Sequence, residues 1–269
     1  MNAGPRSNIN TGDGDDIITG TTNSEYDYQA GIESSGSIDT SDGNDIITGI
    51  GGSGIVNNGT INTGNDQDSI ISQGKFSNSG GVFLGDDNDS IAADKGFFNR
   101  AIENFNFIGT GDGSDIITST GVIYNQGVIE TGNGNDSIIV NGGVDDNGTR
   151  YGIYNNGGAI NMGNGNDSII ANEGFESGPN SSGSVFLGEG DDYIKGYGSG
   201  DFYGGNGFDK LALTPGSYTV ERWTDNTGES VVFTKGNSLM ITSQFEQLIA
   251  GGTTHLFASL TQGQTIVVA

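Results

Sequence analysis

The chain has 269 residues, of which 50 are Gly, three are Pro and none is Cys. Its 34 acidic residues face nine basic ones, a formal charge of -25: too few cations to neutralise nucleic-acid phosphates, and the wrong sign for an anionic membrane. Disulfides and thiolate metal sites are excluded, no stretch approaches the ~18 apolar residues of a membrane span, and recurrent Ile with nine Tyr and 13 Phe argues against disorder.

At the N-terminus, Met1 to Asn8 lacks the apolar core of a secretory signal. A phrase then recurs nine times, first as Thr11-Gly12-Asp13-Gly14-Asp15-Asp16-Ile17-Ile18, then from Ser41, Gly64, Gly85, Gly111, Gly132, Gly163, Gly188 and Gly205. One Asp is present in every copy: Asp16, Asp45, Asp68, Asp89, Asp115, Asp136, Asp167, Asp192 and Asp209. Two residues later comes an aliphatic, from Ile18 and Ile47 through to Leu211. Three residues before the first Gly position stands a second apolar column, Ile9, Ile38, Ile61, Val82, Ile108, Ile129, Ile160, Val185 and Phe202. A third column, Ile32, Ile55, Phe76, Ile102, Ile123 and Ile153, lies further upstream, across polar turns such as Asn57-Asn58-Gly59 and Asn125-Gln126-Gly127.

Each unit reads strand, turn, strand, turn, strand. From Asp16 to Asp192, successive Asp positions are 29, 23, 21, 26, 21, 31 and 25 residues apart, too irregular for a heptad and too short for a βαβ unit. Strands this short gain stability by stacking, coil on coil at about 4.8 Å, which completes their hydrogen bonds and buries the Ile columns. The expected fold is all-β: a right-handed parallel β-solenoid of β-helix or β-roll type over residues 1–212, with about nine stacked turns, then a small C-terminal β cap over 213–269. Thr21 to Gln29, Gly142 to Tyr151 and Glu173 to Ser182 are expected to bulge as loops. Trp223, Phe233 and Phe245 are assigned to the core of the cap.

At the Gly-Asp turns the sequence resembles the RTX, or hemolysin-type, calcium-binding repeat, G-G-x-G-x-D-x-U-x. Gly204-Gly205-Asn206-Gly207-Phe208-Asp209-Lys210-Leu211-Ala212 matches every fixed place, Leu187 to Lys195 all but the first, and Gly196 to Tyr203 is a shortened copy carrying Asp201. Elsewhere there is one such turn per long coil, and Thr usually replaces the first Gly, as in Thr11, Thr40, Thr63, Thr110 and Thr131. The resemblance implies a secreted, extracellular protein whose non-repetitive tail carries a type I secretion signal.

Calcium takes about six to eight oxygens. The Gly-rich turns are expected to offer backbone carbonyls and the Asp residues carboxylates, in one metal edge along the rod. The candidate ligands are Asp13, Asp16, Asp42, Asp45, Asp68, Asp89, Asp112, Asp115, Asp136, Asp167, Asp192, Asp201 and Asp209, with Gly14, Gly43, Gly113, Gly134, Gly165, Gly190 and Gly207. The alternative is an Asx-turn, in which Asp hydrogen-bonds its own corner.

The leading function is thus a calcium-binding structural or surface-associated module, not an enzyme, with calcium ions and an extracellular glycan or cell surface as partners. Two other classes compete. One is a carbohydrate-active β-helix enzyme; against it, the basic residues form no evident cluster and the single His, His255, falls in the cap. The other is ice or glycan binding by a flat face, using a partial ladder of the five Thr or outward Tyr124 and Tyr154.

Overall fold

The computed structural model describes residues 8–23, 29–96, 99–144, 148–178, 182–225 and 228–269. Residues 24–28, 145–147 and 179–181 of the three expected loops lie outside them, as do residues 1–7. The protein is a parallel β-solenoid closed at its C-terminal end.

The three apolar columns stack as their spacing demands. Ile18 pairs with Ile47, Ile47 with Ile70, and so on to Leu211. The second column runs in register from Ile9 to Phe202. The third runs from Ile32 through Ile153 and gains a last member, Phe175. Nearly every column residue is buried, and each buried Ile contributes roughly 1.5 to 3 kcal/mol. An apolar side chain at the same place on every coil lets the strands alternate inward apolar with outward polar residues without a register slip.

The nine arms of the second column, continued by four strands of the tail, form a 13-stranded sheet; those of the first and third, with two strands of the tail, merge into a 16-stranded one. The third arm is formed in seven coils, at 30–34, 53–57, 75–78, 100–104, 122–125, 153–155 and 175–176. The rod therefore has about seven complete turns rather than nine. The coil between Asp192 and Asp209 spans 17 residues, too few for a third arm.

The tail does not stand apart from the rod. Ser238–Ser243 pairs in parallel with Gly200–Asn206, and Gln247–Ala250 with Lys210–Leu213. Beyond Ser238–Ser243 the sheet continues antiparallel through Gly228–Lys235, Gly216–Asp225 and Thr265–Val268. This switch ends the repeat and covers the last apolar coil. Tyr218, Phe233, Phe245 and Phe257 are buried there, whereas Trp223, assigned to that core from sequence, is 42% exposed and donates its indole N–H to Glu221.

Candidate functional site

Asp and the aliphatic two residues beyond it lie on one face of a strand, because side chains alternate with a period of two. The Asp column therefore enters the rod with the Ile column. Asp45, Asp68, Asp89, Asp115, Asp136, Asp167, Asp192 and Asp209 are all buried. Each Oδ1 accepts the backbone N–H of the equivalent Asp one coil before it, at 2.7–2.9 Å, from Asp16 N–H to Asp45 through Asp192 N–H to Asp209. Asp209 N–H ends the series on the Glu246 carboxylate. The alternative Asx-turn would close a corner on itself; here each carboxyl ties one coil to the next.

The second oxygens have no such role. Oδ2 of all nine aspartates is buried without a hydrogen-bond partner from the protein. The first turn position faces it. In five coils this is Thr, and Thr63, Thr110 and Thr131 stand beside Asp68, Asp115 and Asp136. These hydroxyls give their protons to carbonyls of the following coil, Leu84, Thr131 and Met162. In other coils buried Leu84, Met162 and Leu187 stand at this position instead.

Burial pushes the carboxyls toward the neutral acid. Asp68, Asp136, Asp192 and Asp209 rise to about 6, each chiefly by desolvation and partly offset by the accepted N–H bond. Asp167 rises to about 7, by desolvation and then by the charges of Asp136 and Asp192. Asp89 rises furthest, to about 8, by desolvation and the charges of Asp115, Asp68 and Asp87. Its coil carries Leu84 where a Thr hydroxyl moderates Asp68.

The remaining candidates face the other way. Asp13, Asp42 and Asp112 are exposed. Asn65 Nδ2 donates to Asp42 at 2.9 Å and Asn133 Nδ2 to Asp112 at 2.6 Å. Asp201 lies on the arm Gly200–Asn206, between Ser184 and Ile241, and not in a turn. The glycine carbonyls point along the rod: those of Gly113, Gly134, Gly165 and Gly190 aim at the α-carbons of Gly134, Gly165, Gly190 and Gly207, where a Cβ would lie 2.0 Å away or closer. Glycine is required here because the next coil sits on the carbonyl.

At most turns these placements hold the candidate ligand groups apart from one another. The inner and outer carboxylates are on opposite sides of the backbone, the carbonyls are covered, and Thr, Leu or Met stands against Oδ2. The exception is the last turn. Gly204 has no side chain, and the direction a Cβ would take meets the Gln244 carbonyl oxygen and Asp209 Oδ2. With Glu246 beside it, this turn gathers three oxygen-bearing groups, about half of what calcium takes.

Two other constellations emerge. Asn57, Asn78, Asn104, Asn125 and Asn155 form a buried amide ladder at the opposite corner, each Nδ2 bonding the next Oδ1 at 2.9 Å. The Asn-x-Gly corners signal it at four of the five positions. The basic residues do cluster, contrary to expectation. Lys75 and Arg100 both pair with buried Glu103, at 2.9 and 2.7 Å. Arg100 also caps the Tyr124 ring at 4.3 Å, and Tyr124 stacks on Tyr154. Burial would raise the Glu103 pKa, but the bonds and charges from Arg100 and Lys75 outweigh it and hold it below the usual range. A carboxylate fixed as an anion by two cations is unsuited to shuttling protons. Finally, Thr40, Thr63, Thr110 and Thr131 are buried and Thr11, on the terminal coil, is exposed, so all but one member of the expected Thr ladder are internal and offer no flat outer face.

No known protein family, curated protein or solved structure matches the chain. No helix among the described residues is long and apolar enough to cross a membrane.

Proposed function

We propose that the chain is a non-catalytic, surface-associated structural module, a rod whose coils are tied together by a column of buried carboxyl groups. The observation that supports this reading is the unbroken N–H-to-Oδ1 series from Asp16 to Asp209, which employs the aspartates that catalysis or metal binding would need.

Asp136 tests it. Asp136→Asn keeps the Oδ1 acceptor and places an N–H beside the Thr131 hydroxyl, so stability should change by less than about 1 kcal/mol. Asp136→Ala leaves the buried Asp115 N–H unpaired and should cost about 2 to 3 kcal/mol. Denaturant melts of both variants decide between them. Equal, large losses in the two would mean that the negative charge is what the column needs.

A second reading is favoured by the last turn alone. There Asp209 Oδ2, the Gln244 carbonyl and Glu246 would hold one calcium ion, in place of the column of ions expected from the repeat. Placement outside the cell through the C-terminal tail also remains our proposal. Residues 213–269 fused behind a folded reporter should carry it out of a host with a type I exporter; retention of the fusion at the level of the bare reporter would refute it.

A further inference from the structure

We infer that the outer face of the 13-stranded sheet is a binding groove for an extended, neutral polysaccharide running along the rod axis. The cleft measures about 490 Å³ and is bounded at one end by Phe83 and Phe107. Their rings lie 5.2 Å apart. Glycines make room for them: a Cβ on Gly81 would strike the Phe83 ring, and one on Gly109 the Phe107 ring, both at 2.6 Å. The rings thus lie over the sheet instead of standing off it. Three coils beyond Phe107, Phe186 and Tyr203 form a second pair, stacked at 4.8 Å. Phe83 and Phe186 are 44% and 41% exposed, a cost no core requirement explains.

Between the two aromatic pairs the lining changes character. It offers the carboxylates of Asp112 and Glu130 and the amides of Asn133, Asn161 and Asn164, over a floor of glycine. The Asn133 and Asn164 amides are held in a row, Asn133 donating to Asp112 and Asn164 to Asn133. Aromatic faces cover the C–H faces of pyranose rings, and fixed carboxylates and amides bond hydroxyls. No Lys or Arg lines the cleft, so nothing there would pair a carboxylate or sulfate, and a chain of charge -25 repels an anionic polymer. From Phe83 to Tyr203 is five coil steps, or about 24 Å at ~4.8 Å per coil. An extended, equatorially linked pyranose chain advances by a similar step per sugar, so successive sugars would meet equivalent positions on successive coils. The groove goes beyond the structural role, since the carboxyl column ties the coils whether or not sugar binds.

The test is titration calorimetry of the full chain with hexamers of β-1,4-linked glucose, β-1,4-linked mannose and β-1,3-linked glucose. At least one should bind, with an affinity unchanged by raised salt. Phe107→Ala and Phe186→Ala should each weaken it about tenfold, a typical effect of losing one aromatic platform and its contact area. Trp223→Ala, an exposed aromatic on the cap, should leave it unchanged. Melting temperatures of all three variants should match the parent, which separates loss of the groove from loss of the rod. Binding of none of the hexamers, binding indifferent to both Phe variants, or binding abolished by salt would each overturn the proposal.

Discussion

Gly134→Ala should lower stability by about 4 kcal/mol or more, an exceptional loss for the addition of one methyl group. Gly134 sits in the middle of the turn column with φ +143, and its new Cβ would lie 1.4 Å from the Gly113 carbonyl oxygen. That oxygen belongs to backbone fixed in the neighbouring coil, so relief requires the coils to part and their ladder bonds to stretch. In a chain of this length the change should appear as a fall in melting temperature of about 10 °C. Gly14→Ala provides the comparison. It occupies the same place in the terminal coil, has φ +113 and has nothing within 4 Å of its Cβ position. It should show only the cost of the left-handed backbone, about 1 kcal/mol. Similar losses at both positions would mean that turn conformation, and not coil-on-coil contact, dictates glycine here.

Stability should also fall as pH rises from about 5 to 8. The carboxyls of Asp68, Asp136, Asp192 and Asp209 titrate near 6 in the folded rod, that of Asp167 near 7 and that of Asp89 near 8. In the unfolded chain all titrate near 3.9. Between these limits the native state binds more protons than the unfolded state, so the unfolding free energy declines with pH. The contribution is complete below about pH 4 and is lost as pH passes through 6 to 8. After allowance for coupling along the column, the loss is on the order of 5 kcal/mol. Glu103 sets the acid limit: its lowered pKa means that its pairs with Lys75 and Arg100 are lost as pH falls below the ordinary carboxylate range. Repulsion among surface carboxylates acts in the same direction as the column, so variants must separate the two. Asp89→Asn should flatten the upper part of the profile, and exposed Asp112→Asn should not.

The architecture was legible because a stacked rod repeats its inward side chains at every coil. Ile18, Ile47 and Ile70 announce one column regardless of what lies between them. The direction of the aspartates was legible too, although sequence reasoning placed them at a metal edge. Asp16 and Ile18, like Ile38 and Thr40, are two residues apart and so share a strand face. Taken literally, that spacing puts both Asp and Thr inside. The role of the turn glycines was harder to see, because a bare turn and a turn roofed by the next coil call for the same residue. Other features depend on distances that no local spacing encodes. Lys75, Arg100 and Glu103 meet because intervening loops of unequal length return the chain to one face. Phe83 and Phe107 meet although they occupy different places in their coils, each leaning over a glycine. The nine Gly-Asp turns bound only eight coils, and the last of these, between Asp192 and Asp209, is too short for a third arm, which leaves about seven complete turns.

The rod rests on buried aspartates that act as hydrogen-bonded carboxyl groups, those of Asp68, Asp89, Asp136, Asp167, Asp192 and Asp209 being mostly protonated at pH 5. Thermal melts at pH 5 and pH 8, each in excess chelator and again in excess calcium, address it directly. The melting temperature should be at least about 5 °C higher at pH 5 than at pH 8, with chelator leaving the pH 5 value unchanged. Calcium should add no more at pH 8 than one site supplies, about 2.7 kcal/mol at a hundredfold excess over its dissociation constant. Collapse of the β-sheet signal in chelator, reversed by calcium but not by equal magnesium, together with stability that rises with pH, would contradict it and restore a column of ions to the rod.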